Sequence, residues 1–184
     1  MDEVTPQMRS RAKAINFGIV YGIGAFSLSQ DIHVSVAEAK SYIEEYLKTY
    51  HGVREYMDRI VRQAEEDGYV STLYHRRREL ADIRSTNKVV KALAKRIALN
   101  TPIQGTAADI IKIAMIRVYR RLKAEGLQAK LILQVHDELI IEAPVMQAPL
   151  VASLLKEEMQ SAARLAVELS VDVHTGKNWL AAKG

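Results

Sequence analysis

Between Lys130 and Ala143 the chain alternates apolar with polar or outward residues twice over, first at Leu131, Leu133 and Val135 and then at Leu139, Ile141 and Ala143, around His136-Asp137-Glu138. A period of two marks strands, so this stretch predicts a tight β-hairpin with Asp137 and Glu138 at its tip. Almost everywhere else apolar residues recur at helical spacing, which makes the expected fold class α+β and predominantly helical. Adjacent carboxylates repel, and a tip that presents both suits a hard divalent cation with oxygen ligands. Ordinary turn chemistry, in which Asp is common, is the other reading.

The helices can be placed from their ends. Thr5-Pro6 is a capping side chain followed by a proline, and the helix it opens is expected to reach about Tyr21. At about 100° per residue, Met8, Ala12, Ile15 and Ile19 share one apolar sector, while Arg9, Lys13, Asn16, Phe17 and Tyr21 share another. Two cations and two rings on one stripe suit a ligand that carries both phosphate and base, or else form a surface with incidental charges. A short helical stretch near Phe26 to Ile32 follows the turn at Gly22 and Gly24. Ser35 and Glu38 then form a capping box ahead of Val36, Ala39, Ile43, Tyr46, Leu47 and Tyr50. Gly52 separates that helix from one burying Val53, Tyr56, Met57, Ile60, Val61 and Ala64, with Gly68 as its left-handed cap. The Tyr and Met stripes of these two helices are expected in the core.

Tyr69 to Leu80 predicts a short hairpin with a positive tip at Arg76-Arg77-Arg78. Helical spacing returns at Val89, and Pro102 in Asn100-Thr101-Pro102 is expected to kink or break it before a further helix from about Ile103 to Ala124. Arg96, Asn100 and Gln104 lie four apart, a row that suits base edges in a minor groove or a solvated seam. An amphipathic helix holding Ala148, Val151, Leu155, Met159 and Ala162 follows the acidic hairpin. Val171 and Val173 predict a last strand, and Trp179 is expected to close the core.

Charge is unevenly placed. From Arg76 to Arg96 eight basic residues stand against two acidic ones, an excess larger than the net +4 of all 184 residues. Such a field favours polyanions through counterion release, nucleic acid above all, although a solvated helix and hairpin would read the same way. A hydrophobic content of 48% suffices for one globular domain or two small lobes. No apolar run reaches about eighteen residues, and Met1 to Pro6 lacks the pattern of a secretory signal, so a soluble, intracellular protein is expected. The absence of cysteine excludes disulfides and thiolate metal sites.

Taken together these pieces resemble the A-family DNA polymerases over essentially the whole length, Asp2 to Lys183. The stretch from Arg9 to Gly22 (RSRAKAINFGIVYG) is similar to the family's fingers motif, Gln134-Val135-His136-Asp137-Glu138 to its palm motif, and Asn100-Thr101-Pro102-Ile103-Gln104-Gly105 matches between them. The resemblance implies a fingers subdomain over residues 1–125, with helices leading into the palm, and part of an antiparallel palm sheet over residues 126–184. It implies template-dependent transfer of a nucleotide from a dNTP to a primer 3′-hydroxyl with two magnesium ions. Arg9 and Lys13 would grip the triphosphate, with Lys13 also the proton donor to pyrophosphate. Phe17 would lie on the sugar and base, where a phenyl ring points to discrimination against sugars lacking a 3′-hydroxyl, and Tyr21 would lie near the template base. Asp137 would hold the metal ions with Glu138 assisting, His136 would contact the primer end, and Arg96, Asn100 and Gln104 would touch primer-template DNA. A bacterial, cytoplasmic and nucleoid-associated setting without membrane contact is implied as well.

The family's other metal-binding aspartate lies upstream of the fingers, and Met1-Asp2-Glu3-Val4 reads as an opening partway through a longer protein. The expectation is a fragment inactive alone, dependent on the upstream polymerase segments; a binding-only nucleic-acid module or a basic protein-interaction domain are the competing readings. The chain also departs from the family pattern. His75 stands where many members have glycine, Ala81 where proline is usual, and Lys95 where an acidic residue is common, which is expected to loosen a loop and to cost nearby cations an ion-pair partner.

Overall fold

Helix α1 runs over Pro6–Val20, α2 over Ala25–Ile32, α3 over Val36–Thr49 and α4 over His51–Asp67, in a computed structural model that describes residues 4–183. The reading of Met1-Asp2-Glu3 as a mid-protein opening falls outside the described residues. Strands β1 (Tyr69–Ser71) and β2 (Arg77–Glu79) form an antiparallel hairpin, and a 3-10 turn over Ala81–Arg84 leads to α5, Lys88–Ala124. Strands β3 (Lys130–Val135) and β4 (Glu138–Glu142) form the second hairpin, followed by α6 (Ala148–Gln160) and α7 (Trp179–Lys183). The architecture is mostly helical α+β, as the hydrophobic periods require. Two compact units divide inside α5, between Gly105 and Thr106.

The helix starts follow from their caps. Thr5 Oγ1 accepts the Met8 N–H at 3.2 Å. The Glu38 N–H donates to Ser35 Oγ at 3.2 Å while the Ser35 N–H donates to Glu38 Oε2 at 2.9 Å, closing the capping box; the Ser35 hydroxyl, donating to Glu38 Oε2 at 2.7 Å, and then the Ser35 N–H hold the Glu38 carboxyl below its ordinary range. Asn87 Oδ1 accepts the Val89 N–H at 2.9 Å to start α5. Gly68, at φ 81°, ends α4 in the left-handed conformation, and Arg84 reaches back to the last carbonyls of that helix, Glu65 at 2.7 Å and Glu66 at 2.5 Å.

The first unit has two buried clusters. Leu28, Ile32 and Ala39 gather half-buried Ala14, Ile15, Ile23 and Ile43 around them, joining α1 to α3. Ala64, Val70, Leu80, Ile83, Ala94 and Ala98 join α4, the basic hairpin and the start of α5. In the second unit, Ala114, Val118 and Leu122 of α5 meet Leu139 of β4 and Val151 and Leu154 of α6.

Several expectations need correction. Gly52 lies inside α4, and the break falls at Tyr50, whose φ of −102° and ψ of 61° serve both helix ends. Pro102 does not break its helix: α5 passes through it, over 37 residues from Lys88 to Ala124. A proline removes a single rung, the Thr101 hydroxyl donates to the Ile97 carbonyl at 2.7 Å nearby, and burial of Ala98 and Leu99 before it and Ala114 and Val118 after it outweighs that loss. Met8 is exposed, because the apolar sector of α1 is covered only from Ile15 onward. Leu133 is exposed because β3 carries a bulge between Leu131 and Leu133. Leu131 pairs with Ile141, but Leu133 pairs with Ile140, on the side away from buried Leu139. Val171 and Val173 lie in a stretch, residues 163–176, with neither helix nor strand; two alternating valines supply a side pattern but no ladder partner. Trp179 is 44% exposed with Lys183 Nζ 5.4 Å from its ring, since α6 already covers the second unit's core.

His75 sits at φ 63° in the turn of the basic hairpin, a conformation that costs an L-residue about 1–2 kcal/mol relative to glycine. The departure from the family's glycine therefore carries strain. His75→Gly is expected to raise unfolding stability by roughly 0.5–1 kcal/mol after glycine's greater unfolded-state entropy is offset. Denaturant unfolding of the two chains measures this, and an unchanged midpoint would contradict it.

Candidate functional site

Arg9, Lys13 and Phe17 are exposed along one side of α1, opposite the residues that enter the Leu28 cluster. The Phe17 and Tyr21 rings stack with centroids 6.3 Å apart and planes 28° from parallel. Tyr21 is held by the way the helix ends. The Gly22 N–H donates to the Ile19 carbonyl at 2.9 Å and the Ile23 N–H to the Gly18 carbonyl at 2.8 Å, the paired bonds of a Schellman ending with Gly22 at φ 73°.

That ending lies against α5. A Cβ built on Gly22 would stand 3.0 Å from Leu99 Cδ1 and 3.6 Å from Arg96 Cγ, so the ring-bearing end of α1 and the first residue of the α5 row are neighbours. The basic hairpin approaches the same helix further along. A Cβ on Gly105 would fall 2.6 Å from Thr72 Cγ2, and Arg78 Nη1 donates to Thr101 Oγ1 at 3.4 Å. Glycine at 105 is what lets strand and helix come this close. Arg96 and Gln104 are exposed; Asn100 is half-buried, and its Oδ1 is buried with no hydrogen-bond partner.

The basic stretch is less uniformly free than its composition implies. Glu65 of α4 receives Lys91 at 3.1 Å and Lys95 at 3.3 Å. Hydrogen bonds from these two ammonium groups hold the Glu65 carboxyl below its ordinary range. Lys95 itself is paired, through Glu65 on the neighbouring helix. The positive side chains directed elsewhere are chiefly arginines, and Arg77 lies over the Tyr69 ring at 4.5 Å.

Two tyrosines expected in the core lie instead beside the α1 stripe. Tyr46 and Tyr50 of α3 line an open groove of about 590 Å³ together with Ala12, Lys13, Ile15, Asn16 and Phe17. The Tyr46 hydroxyl donates to Asn16 Oδ1 at 2.5 Å, and the two tyrosine rings lie 4.7 Å apart. The signal available in sequence was a polar residue, Asn16, on a stripe otherwise made of cations and rings.

In the second unit, His136 and Asp137 form the two-residue turn of the β3–β4 hairpin, closed by the Val135–Glu138 pair. His136 has φ 51°, and its carbonyl accepts from Gln134 Nε2 at 2.6 Å. Asp137 and Glu138 are both exposed, with Lys183 Nζ 4.0 Å from Glu138 Oε2. Among the described residues no three His, Asp or Glu side chains gather as a metal cage, and no helix is long and apolar enough to cross a membrane.

The first unit thus carries a helix with exposed cations and stacked rings and, against α5, a basic hairpin, and the second unit carries an acidic turn. The family model described as DNA polymerase family A matches residues 1–181, and the chain belongs to that family. It is similar to DNA polymerase I of Bacillus caldotenax, 54% identical over 182 residues, and to that of Caldicellulosiruptor bescii, 51% identical over 181 residues. These alignments cover 99% and 98% of this chain but 21% of each relative, so the chain spans about a fifth of their length. A solved structure of the POL domain of Pol1 from M. smegmatis, in complex with DNA primer-template and dNTP, is 45% identical with a TM-score of 0.95. The match takes in 100% of this chain and 32% of that one.

The Gly22 contact gives a direct test of the geometry. Gly22→Ala forces a left-handed φ on a side chain whose Cβ meets Leu99, and is expected to cost about 1–2 kcal/mol in urea unfolding. Stability equal to that of the unaltered chain would contradict the close approach of α1 to α5.

Proposed function

We propose that this chain supplies the nucleotide-gripping and part of the metal-binding machinery of a DNA-directed DNA polymerase that transfers nucleotides from dNTPs to a primer 3′-hydroxyl. The observation that carries the proposal is the exposed stripe of Arg9, Lys13 and Phe17 on α1, ending at a Schellman turn against Arg96. Residues 1–125 would act as fingers with helices leading into the palm, and residues 126–184 as part of the palm.

In this reading Arg9 and Lys13 bind the triphosphate, where an ammonium and a guanidinium lower the cost of charge gathering on the leaving pyrophosphate. Lys13 is placed to give that group its proton. Phe17 lies on the sugar and base, and Tyr21, fixed by the helix ending, borders the template base. Arg96, Asn100 and Gln104 face the primer-template duplex. The exposure of Arg96 and Gln104 on either side of half-buried Asn100 supports this. His136 would meet the primer end.

The carboxylates at the acidic turn fit magnesium, which takes hard oxygen ligands and commonly uses one or two carboxylates completed by water and substrate phosphate. Asp137 would hold it with Glu138 as a weaker neighbour, consistent with the Lys183 ammonium already beside Glu138. The chemistry magnesium supplies when bound is stabilisation of charge on the attacking and leaving oxygens. The relatives' identity as bacterial DNA polymerase I supports a cytoplasmic, nucleoid-associated protein in bacteria, acting with the further polymerase segments that those relatives contain.

Lys13→Ala is expected to weaken dNTP binding by roughly ten- to a hundredfold, the cost of losing a hydrogen bond to a charged group, measured by calorimetric titration. Unchanged affinity would remove α1 from the site. In a gel assay the 184-residue chain alone is expected to give no primer extension, and extension is expected to return when the upstream polymerase segment is added in trans. Extension by the chain alone would overturn the assignment of only part of the machinery to it.

A further inference from the structure

The groove beside Lys13 and Phe17 contains a tie that the nucleotide roles do not account for. The Tyr46 hydroxyl on α3 reaches across 30 positions of sequence to Asn16 Oδ1 on α1, at 2.5 Å. Asn16 lies three residues after Lys13 and immediately before Phe17, so it shares the groove face of α1 with Lys13. Tyr46 is itself held. Its ring meets Tyr50 at 4.7 Å, and its helix is anchored by the Ser35–Glu38 capping box at one end and by buried Ala39. By contrast α1 buries one residue fully, Ile19 near its C-terminus, and everything up to Lys13 is exposed.

Half-buried Ala14 and Ile15, buried Ile19 and the Arg11 bond to the Ile32 carbonyl hold α1 from the side away from Lys13, and a helix held from one side can still turn by a small angle about its own axis. With side-chain ends about 6 Å from the axis, a turn of about 10° moves them by about 1 Å. Displacements of that size matter where a cation must meet a phosphate oxygen. We propose that Tyr46 is a positioning residue for the nucleotide site. Its hydroxyl fixes the rotation of α1 through Asn16 and thereby aims Lys13 and Phe17. This rests on the nucleotide reading of α1. Tyr46 touches no nucleotide in this scheme and acts only through Asn16.

The test is calorimetric titration of dATP into the 184-residue chain and into Tyr46→Phe, Asn16→Ala and the double variant, with circular dichroism to confirm folding. Removal of the hydroxyl alone is expected to weaken dATP about fivefold, as loss of a neutral hydrogen bond does. Asn16→Ala is expected to match it, and the double variant to lose no more than either single one, because both remove the same tie. The loss is also expected to grow with phosphate number, being greater for dATP than for deoxyadenosine, which meets Phe17 but not Lys13; general loosening of the fold would weaken both alike. Unchanged dATP affinity in Tyr46→Phe overturns the proposal while leaving the nucleotide site intact, and so do losses that simply add in the double variant. Failure of the unaltered chain to bind dATP overturns the nucleotide reading, and this proposal with it.

Discussion

Helix α1 is gripped from one side and near one end, and the rest of the first unit is arranged around that asymmetry. Ile19 is buried, Ala14 and Ile15 lean on the Leu28, Ile32 and Ala39 cluster, and the Arg11 guanidinium donates to the Ile32 carbonyl at 3.3 Å. These contacts leave the opposite stripe, with Arg9, Lys13 and Phe17, outside the core. A more evenly buried helix would gain stability at about 25 cal/mol per Å² of apolar area, but would draw those side chains into packing. The exposure of Phe17, a large ring whose burial would be favourable, follows from where the core ends.

Electrostatics sorts the basic residues into two groups. Lysines 91 and 95 are spent on Glu65, tying α5 to α4, so the helix that carries the polar row is braced by its own charges. Around the hairpin, Arg77 lies over the Tyr69 ring, Arg78 donates to Thr101 and Arg84 caps α4. Exposed ion pairs of this kind contribute little individually, and their value here is in orientation. In the second unit Arg121 plays a comparable part, bridging Glu125 on its own chain segment and Glu158 of α6 at 2.9 Å; the hydrogen bonds that it donates to Glu125 and then to Glu158 raise its pKa.

Much of this was legible in the residues because the signals were local. Thr5-Pro6, the Ser35–Glu38 box, Gly68 and the alternation around His136-Asp137 each decide a structure within a few residues, and each element stands where its local signal placed it. What failed depended on distant partners. Pro102 was expected to kink or break its helix, and the break does not occur, because the apolar residues on both sides of it outweigh one missing rung. Val171 and Val173 alternate as a strand does without a neighbour to pair with, and Trp179 found the core already covered. Within the site, Arg9, Lys13, Phe17 and the α5 row could be singled out from helical spacing. Tyr46 could not, because its bond to Asn16 joins helices 30 positions apart in sequence, and a tyrosine at helical spacing is otherwise indistinguishable from a core residue.

The bulge in β3 gives the acidic hairpin a dependence on length rather than on residue type. Ile132 is an extra residue with no partner across the ladder, so the inward positions of β3 are set by one count from Lys130 and by another from the turn. Its side chain is half exposed, and many substitutions there would leave the pairing as it is. Removal of that residue would straighten the strand and re-aim the turn that carries His136 and Asp137. One added elsewhere in β3 would exchange inner for outer faces up to the turn. This strand should therefore accept changes of letter far more readily than changes of number, and a survey of variants scored by residue identity alone would miss its most sensitive property.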